Sequence, residues 1–414
     1  MTPECLDILC LSPMPPSPPH FGAQARMHGL MSSLARRHRI TAVSLVGEEF
    51  DAEACGRAMR EYCAEVVLVP NPKARNGVTK RVLQLCSLAS LRSFERHLYS
   101  LESLQKALDA AMTRRRFDVV QVEFPYFGHY RLRQAPAGAR PPLLILDSHE
   151  IAHDVIRQSA RSGAALRRVY SAVDWRKLRQ EELHAFRSAD GICTCSAADE
   201  KRVLDDVPSA RTLVVPNAAD VDYYHPRPGD PAGDGRTVVF FGLLSTWQNL
   251  DGVLYLVREI WPRIAERRPD ARLKIIGARP PREVLELAGP KVEVTGLVED
   301  LRPHLASAAA LVVPLRIGGG TRLKIVEGMA MQKAIVSTAL GAEGIDVVPG
   351  RDILIADDPA GFAASVVRVL EDPGLAERLG RAGRQLAIER YAWSAAAQRL
   401  EGFCHELLEL RSAG

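Results

Sequence analysis

A glycine turn followed by basic residues opens the most chemically suggestive segment of the chain. The turn comprises Gly318, Gly319, Gly320 and Thr321. Arg322 and Lys324 follow it at the start of a helix-compatible run, and Glu327 lies one helical turn beyond Lys324. Glycines let the backbone approach a phosphate, and the free N–H groups of a first helical turn point toward it. The pattern predicts a diphosphate site whose ribose hydroxyls meet Glu327, although a tight turn with a surface Lys–Glu pair has the same spacing.

Three further loops contain glycines or acids that could serve the same ligand. Gly22 follows the first predicted strand and could approach a phosphate, or it could be an ordinary turn glycine. Gly242 follows the first predicted strand of the second half. Glu343 lies in a second glycine turn, 341–344.

Polar residues follow two predicted strands of the first half. Glu123 follows one strand, and His149 and Glu150 follow another. Because the carboxyl ends of parallel strands line the ligand crevice of an open sheet, these three residues are candidates for a site. The alternative for His149 is a helix start, where Ser148 caps the helix and the imidazole is merely solvated.

The composition is that of a globular protein and excludes several classes. The chain has 414 residues, enough for two domains, and its net charge of +4 is too small to indicate nucleic-acid binding. Its eight cysteines are scattered, and Cys193 and Cys195 lack zinc-ligand spacing. No signal peptide or membrane span is recognisable, so we expect a cytoplasmic protein.

Short apolar runs alternate with helix-length amphipathic stretches throughout, which predicts an α/β fold of two tandem doubly wound Rossmann-like domains. The expected organisation is an acceptor-side domain 1–207, a linker 208–235 and a nucleotide-sugar domain 236–390. A last helix, 391–412, is expected to cross back to the first domain. Neither half has G-x-G-x-x-G after its first strand, so we expect no nicotinamide or flavin cofactor.

The segment 157–187 is predicted to be a basic helical stretch. It carries eight Arg or Lys residues and three acids, with Tyr170 and Trp175 among them. Such a helix could lie against anionic lipid or an anionic acceptor. A solvated helical face is the more frequent explanation of a charge run.

In this order the motifs resemble the GT-B-fold retaining glycosyltransferases of glycosyltransferase family 4. They are Gly22-Ala23-Gln24, Val215 to Asp220, Phe241-Gly242, Gly296-Leu297-Val298 and Glu327 to Ile345. The resemblance implies that Glu327 holds the ribose of a nucleotide sugar as the second glutamate of an E-x7-E motif. It also implies that Leu297 and Val298 present backbone to the base, that His149 lies near the transferred sugar, and that no metal is used.

The sequence departs from this family pattern at several positions. Gly319 stands where the first motif glutamate is usual, so the contact to the donor sugar is missing, and Glu343 is the expected replacement. The cations that many members carry after Phe241-Gly242 are absent from 243–249, and Arg322 and Lys324 are the expected substitutes.

These features predict a metal-independent, retaining hexosyltransferase with a nucleotide diphosphate sugar as donor and a glycan or lipid-linked acceptor. Arg322, Lys324 and His149 are the expected catalytic residues. Two rival interpretations are a nucleotide-sugar 2-epimerase of similar layout and a catalytically inactive partner of another transferase.

Overall fold

The chain forms two compact units in a computed structural model that describes residues 5–74, 77–159, 165–231, 233–318 and 322–413. One unit comprises Met1–Pro216 and Ala396–Gly414, and the other comprises Asn217–Ala395. The division falls inside the segment 208–235 that the sequence predicts as a linker. Among the described residues, none of the helices combines the length and the apolar character that crossing a membrane requires.

A parallel sheet forms the centre of the first unit. Its strands in the described residues are β1 (Asp7–Ser12), β2 (Arg39–Val46), β3 (Glu65–Pro70), β4 (Val119–Glu123), β5 (Leu143–Ser148), β6 (Gly191–Thr194) and β7 (Thr212–Val214). They are ordered β3-β2-β1-β4-β5-β6-β7, so the order reverses between β1 and β4. Strands such as β5 are buried throughout because helices cover both faces of the sheet. β7 lies within the predicted linker, which therefore begins later than residue 208.

The helices of the first unit pack on this sheet. They are α1 (Gly22–Leu34), α2 (Ala52–Arg60), α3 (Gly77–Leu88), α4 (Phe94–Tyr99), α5 (Glu102–Arg114), α6 (Ala152–Ser159), α7 (Ala165–Ser188) and α8 (Ala197–Asp206). The helical stretch predicted over 157–187 covers the end of α6 and most of α7, and residues 160–164 between these helices lie outside the described part. α6 begins before Arg157 because Glu182 accepts the backbone N–H groups of Ala152 and His153.

The second unit repeats the architecture with a shorter sheet. Its described strands are β8 (Thr237–Phe241), β9 (Arg272–Ile276), β10 (Val292–Gly296), β11 (Ala310–Val313), β12 (Ala334–Ser337) and β13 (Leu354–Ile355). They are parallel and ordered β10-β9-β8-β11-β12-β13, with the reversal between β8 and β11. The short apolar runs of the sequence coincide with the strands of the two sheets.

Seven helices pack within the second unit, as far as the structure describes it, and an eighth follows them. They are α9 (Trp247–Tyr255), α10 (Trp261–Arg267), α11 (Arg282–Leu285), α12 (Arg302–Ser307), α13 (Leu323–Ala330), α14 (Pro359–Glu371), α15 (Pro373–Arg390) and α16 (Trp393–Ala413). A π-helical turn at Leu256–Ile260 interrupts the helical run between α9 and α10. Pro262 explains the interruption, because it has no N–H to donate to the carbonyl four residues earlier.

The last helix, α16, belongs to both units. From Ala396 onward it groups with the first unit, as the prediction of a helix that crosses back requires. A Cβ on Gly191 would lie 2.6 Å from the Phe403 ring, so β6 and α16 are in close contact. Glu401 lies 3.1 Å from the Arg37 guanidinium and 3.4 Å from the His38 ring. The predicted fold class is confirmed.

Candidate functional site

The predicted donor residues lie on the second unit at the carboxyl ends of β8 and β11. These strands flank the point where strand order reverses, which is where open parallel sheets bind ligands. Gly242 follows β8 directly, and α13 begins shortly after β11. Arg322 is the N-terminal cap residue of α13, and Lys324 is its second residue.

The turn after β8 is built to let a cation approach the backbone. A Cβ on Gly242 would lie 3.0 Å from the Lys324 ammonium nitrogen and 2.9 Å from the Asn249 amide nitrogen. A Cβ on Gly277 would lie 1.7 Å from the carbonyl oxygen of Gly242. Side chains at either glycine would therefore displace the turn or the ammonium group.

Lys324 is buried beneath this turn. Its ammonium group donates to Asn249 Oδ1 over 2.6 Å and lies 4.2 Å from the centroid of the Phe240 ring. Burial lowers the pKa of Lys324 to about 7, and the nearby charge of Arg322 acts in the same direction. Lys324 is only 9% exposed, so it is not part of a surface Lys–Glu pair.

Glu327 is partly buried on the same helix. Burial raises the pKa of its carboxyl group to about 7, against the opposing effects of the Lys324 charge and a hydrogen bond from the Tyr224 hydroxyl. The negative charge of Glu327 in turn raises the pKa of Tyr224 far above its usual value, so this hydroxyl remains a donor. A carboxylate held in this way can accept further hydrogen bonds from vicinal hydroxyls.

The glycine turn before α13 is described only at its first residue. Gly318 has a φ of 114°, and a Cβ there would lie 2.8 Å from Nη2 of Arg322. The guanidinium group therefore lies against the turn. Gly319, Gly320 and Thr321 lie outside the described residues.

The remaining predicted donor residues are in exposed or half-buried turns. Leu297 is 67% exposed, and Val298 packs partly against the core of the second unit after β10. Glu343 is half-buried in the second glycine turn. A Cβ on Gly341 would lie 2.7 Å from the Val313 carbonyl oxygen, so this turn packs against the end of β11.

A second polar cluster lies on the first unit, at the carboxyl ends of β4 and β5. His149 Nε2 lies 2.7 Å from Oε2 of Glu123 and 3.5 Å from Oδ2 of Asp147. Gln121 donates to the other oxygen of Glu123 over 2.7 Å. Burial is the main cause that raises the pKa of Glu123, and the negative charge of Asp147 raises it further. The structure thus brings together two predicted residues, Glu123 and His149, in one buried arrangement.

A buried guanidinium group balances this cluster. Arg26, on α1, donates from Nε and Nη2 to the two oxygens of Asp147 over 2.9 and 2.7 Å, and from Nη1 to the carbonyl of Val215 over 2.8 Å. Burial alone would raise the pKa of Asp147, but the charge of Arg26 outweighs it and lowers that pKa. This bidentate geometry is the strong form of an Arg–carboxylate pair.

The ring of His149 is held on one face and one edge. Phe124 has a φ of 71°, an uncommon left-handed conformation, and its ring centroid lies 4.0 Å from that of His149. Nδ1 of His149 is buried, and no hydrogen-bond partner for it is present among the described residues. The alternative in which Ser148 caps a helix is wrong, since its hydroxyl donates to the Glu150 carbonyl and α6 begins later.

Two predicted residues of the first unit stand apart from this cluster. Glu150 is exposed, and its charge contributes to the raised pKa of Glu95. Gly22 is an exposed first residue of α1. The nearby Gln24 is buried and braces the preceding loop by donating to the Pro15 carbonyl over 2.7 Å.

Within the described residues, one group has the side chains for a metal ion. Ligand atoms of Glu123, Asp147 and His149 all lie within 4.8 Å of one another. Both oxygens of Asp147 already accept hydrogen bonds from Arg26, so a guanidinium group supplies the cation for this carboxylate.

Four residues of the two clusters were not among the predicted site residues. The sequence could have indicated Asp147 as a site residue, because it lies at the same strand end as His149. Arg26 is the one Arg or Lys residue of α1, and the sequence does not identify its partner. Asn249 and Tyr224 carry no signal in the sequence, since each depends on a contact with α13 that is distant along the chain.

The predicted basic helix uses its acids inside the first unit. On α7, Asp174 accepts from the N–H of Phe94 over 3.0 Å, and Glu181 accepts from the N–H of Ser93 over 3.1 Å. Lys177 donates to the Ser87 carbonyl over 2.5 Å. These contacts tie α7 to α3 and α4 and explain part of the charge run without any external partner.

Comparison with known proteins finds glycosyl transferases. Residues 235–372 match the family model described as glycosyl transferases group 1. A GDP-mannose-dependent alpha-(1-6)-phosphatidylinositol monomannoside mannosyltransferase from Mycolicibacterium smegmatis is 27% identical over 230 residues, which are 50% of this chain and 59% of that protein. The chain therefore spans less than two thirds of the length of this relative.

Solved structures of the same fold cover nearly the whole chain. Sucrose-phosphate synthase from Thermosynechococcus elongatus superposes with a TM-score of 0.72 at 16% identity, covering 98% of this chain and 100% of the other. HepE from Anabaena, in complex with UDP-glucose, superposes with a TM-score of 0.66 at 15% identity, covering 99% and 100%. At these identities the likeness concerns the fold.

Proposed function

We propose that this chain, a member of the group 1 glycosyl transferases with the GT-B fold, transfers a hexose from a nucleotide diphosphate sugar to a hydroxyl group. The acceptor is a glycan, a lipid-linked saccharide or a related molecule in surface polysaccharide or glycoconjugate synthesis. The observation that carries the proposal is the buried Lys324, held against the Gly242 turn and one helical turn from Glu327. This arrangement offers a cation and a carboxylate at the strand-order reversal, where a nucleotide diphosphate would need them.

Lys324 and Arg322 would stabilise the leaving group. The bond between the anomeric carbon and the diphosphate breaks, and a bond to the acceptor oxygen forms. Negative charge accumulates on the departing diphosphate, whose oxygen takes up the proton of the acceptor hydroxyl. A preorganised ammonium group, a guanidinium group and the N–H groups that start α13 would offset that charge, which is the main demand of a metal-independent transfer. We further propose that the transfer proceeds with retention at the anomeric carbon, as the family resemblance implies.

Glu327 would hold the ribose of the donor. Its carboxylate accepts a hydrogen bond from Tyr224 and can accept more from the vicinal ribose hydroxyls. Leu297 and Val298 would present backbone to the base, and Glu343 would contact the sugar in place of the carboxylate missing at Gly319. Gly22, Gly319, Gly320 and Thr321 would provide the close backbone approach to phosphate.

His149 would act on the transferred sugar. Glu123 fixes its ring through Nε2, which leaves Nδ1 as the atom that can hydrogen-bond a sugar hydroxyl. In this proposal the first unit binds the acceptor and the second binds the donor. The protein would act in the cytoplasm, in peripheral contact with a membrane through 157–187.

Nucleotide binding and acceptor dependence together test the proposal. We expect thermal-shift measurements with UDP, GDP and their hexose conjugates to identify one nucleotide, and calorimetry to confirm its binding. Release of free nucleotide diphosphate should then depend on an added acceptor from a panel of glycans and alkyl glycosides. Interconversion of the donor sugar without acceptor would instead identify a 2-epimerase, and failure to bind any nucleotide diphosphate would favour an inactive partner.

A further inference from the structure

Helix α3 presents an apolar stripe to solvent. Val78, Val82 and Leu85 recur at helical spacing and are 69, 52 and 66% exposed. Soluble proteins seldom leave such a contiguous apolar face on a helix uncovered, so an exposed stripe of this kind marks an interaction site.

The stripe continues onto neighbouring elements of the first unit. Leu88, the last residue of α3, is 49% exposed, and Leu91 beyond the helix is 92% exposed. Val169 and Val173 on α7 are 65 and 40% exposed. The two helices are joined where the Ser87 hydroxyl meets the Tyr170 hydroxyl at 2.9 Å. We call Val78, Val82, Leu85, Leu88, Leu91, Val169 and Val173 together the apolar surface.

The sequence around the apolar surface is positively charged on both contributing segments. Residues 66–94 contain five Lys or Arg and no Asp or Glu, and residues 155–173 contain four Arg and no Asp or Glu. Lys80 and Arg81 are exposed on α3 itself. An apolar helical face flanked by cations is the pattern of a helix that lies in the interface of an anionic bilayer.

A basic cavity adjoins the apolar surface at Leu91. It has a volume of about 230 Å³, and its lining includes the cations Arg92, Arg96 and Lys177. The acid of the same lining, Glu181, accepts hydrogen bonds from the N–H and hydroxyl of Ser93. The cavity therefore presents an excess of positive charge next to exposed leucine.

We propose that this face of the first unit docks on the surface of a membrane that contains anionic phospholipid. The apolar surface enters the headgroup region, Lys80 and Arg81 meet lipid phosphates, and the cavity beside Leu91 accepts a phosphate-bearing headgroup. The inference rests on the membrane contact proposed for 157–187, and it moves the main point of contact to α3 and the cavity.

Vesicle co-sedimentation tests the docking directly. The full chain should bind vesicles of phosphatidylcholine mixed with phosphatidylglycerol and dissociate from them as salt is raised. It should bind phosphatidylcholine alone at least about tenfold more weakly, which is roughly the effect expected of a few cations near an anionic surface. The double variant Val82→Ser/Leu85→Ser should lose at least about tenfold in binding to the mixed vesicles. Arg92→Ser should lose several-fold.

Matched variants on the second unit provide the control. Leu285→Ser/Ile388→Ser removes two side chains that are 50 and 42% exposed, and Arg368→Ser removes an exposed cation. These variants should bind mixed vesicles as the wild type does, and thermal melts should confirm that all variants fold.

Three results would overturn the proposal. They are the absence of binding to mixed vesicles, equal binding to both vesicle types, and self-association of the wild type that Val82→Ser/Leu85→Ser abolishes, which would assign the surface to a second copy. Nucleotide binding, measured in parallel without vesicles, separates this proposal from the proposed transfer reaction. Vesicle binding without binding of any nucleotide diphosphate would refute the transfer and leave the docking intact.

Discussion

The ammonium group of Lys324 donates to the side-chain oxygen of Asn249 over 2.6 Å. An amide oxygen stabilises an ammonium group less than a carboxylate does, and burial lowers the pKa of Lys324 to about 7. The site therefore holds a cation whose counterion is incomplete. A bound diphosphate would supply that counterion.

Nucleotide binding should consume a proton. A diphosphate beside Lys324 raises its pKa above about 7, so at pH 8 a side chain that is mostly neutral takes up a proton when the ligand binds. Calorimetry of UDP or GDP binding in two buffers with different ionisation enthalpies measures this uptake, and Lys324→Met should abolish it. Binding by the wild type without proton uptake at pH 8 would contradict the assignment.

Lys324→Ala should lower turnover about 100-fold or more, because removal of one preorganised group that stabilises a developing oxyanion has an effect of that size. Lys324→Arg should recover little of the loss, since Gly242 and Asn249 leave no room for a guanidinium group. Steady-state rates with the identified donor and acceptor measure both. Lys333→Ala is the control on the same segment, and near-normal turnover in Lys324→Ala would contradict the leaving-group role.

Glu327→Gln should weaken nucleotide binding roughly ten- to hundredfold, because hydrogen bonds to a charged group contribute binding free energy of about that size. Tyr224→Phe should weaken it less, because this hydroxyl only orients the carboxylate. Calorimetry with the nucleotide and with its 2′-deoxy analogue separates the two effects. If Glu327 meets the ribose, the deoxy analogue should bind the Gln variant and the wild type with similar affinity.

His149→Ala should reduce turnover about 100-fold while leaving nucleotide binding unchanged, since the imidazole would contact the transferred sugar. Glu123→Gln should have a smaller effect on turnover, because its amide oxygen can still accept from Nε2 of His149. The turnover of Glu123→Gln should also depend on pH differently from that of the wild type. Loss of nucleotide binding in His149→Ala would instead indicate misfolding or a different role.

Arg26→Met should destabilise the first unit by about 3–5 kcal/mol, because Asp147 would keep a buried charge without a partner. The double variant Arg26→Met/Asp147→Leu should regain part of that free energy of unfolding, since neither charge remains. Chemical denaturation of the full chain measures both. Equal destabilisation in the single and double variants would show that packing rather than the ion pair is responsible.

Local sequence patterns predicted the strands and part of the candidate site on the second unit. Apolar runs mark every strand, and the spacing of Lys324 and Glu327 places them on one helix. The partners that define their chemistry are distant in sequence, since Asn249 lies 75 residues from Lys324 and Asp147 lies 121 residues from Arg26. The interruption at Leu256–Ile260 was not foreseen either, because periodicity does not register a single widened turn.

The chain order of α16 has a consequence for biosynthesis. The second unit, Asn217–Ala395, is an insertion in the first, and Ala219 joins its two ends through hydrogen bonds with Tyr391 and Trp393. The ribosome therefore completes the second unit while β6 still lacks the Phe403 contact and His38 lacks Glu401. Of the two units, the first is begun before the second and completed after it, so its apolar contacts with α16 form only at the end of synthesis.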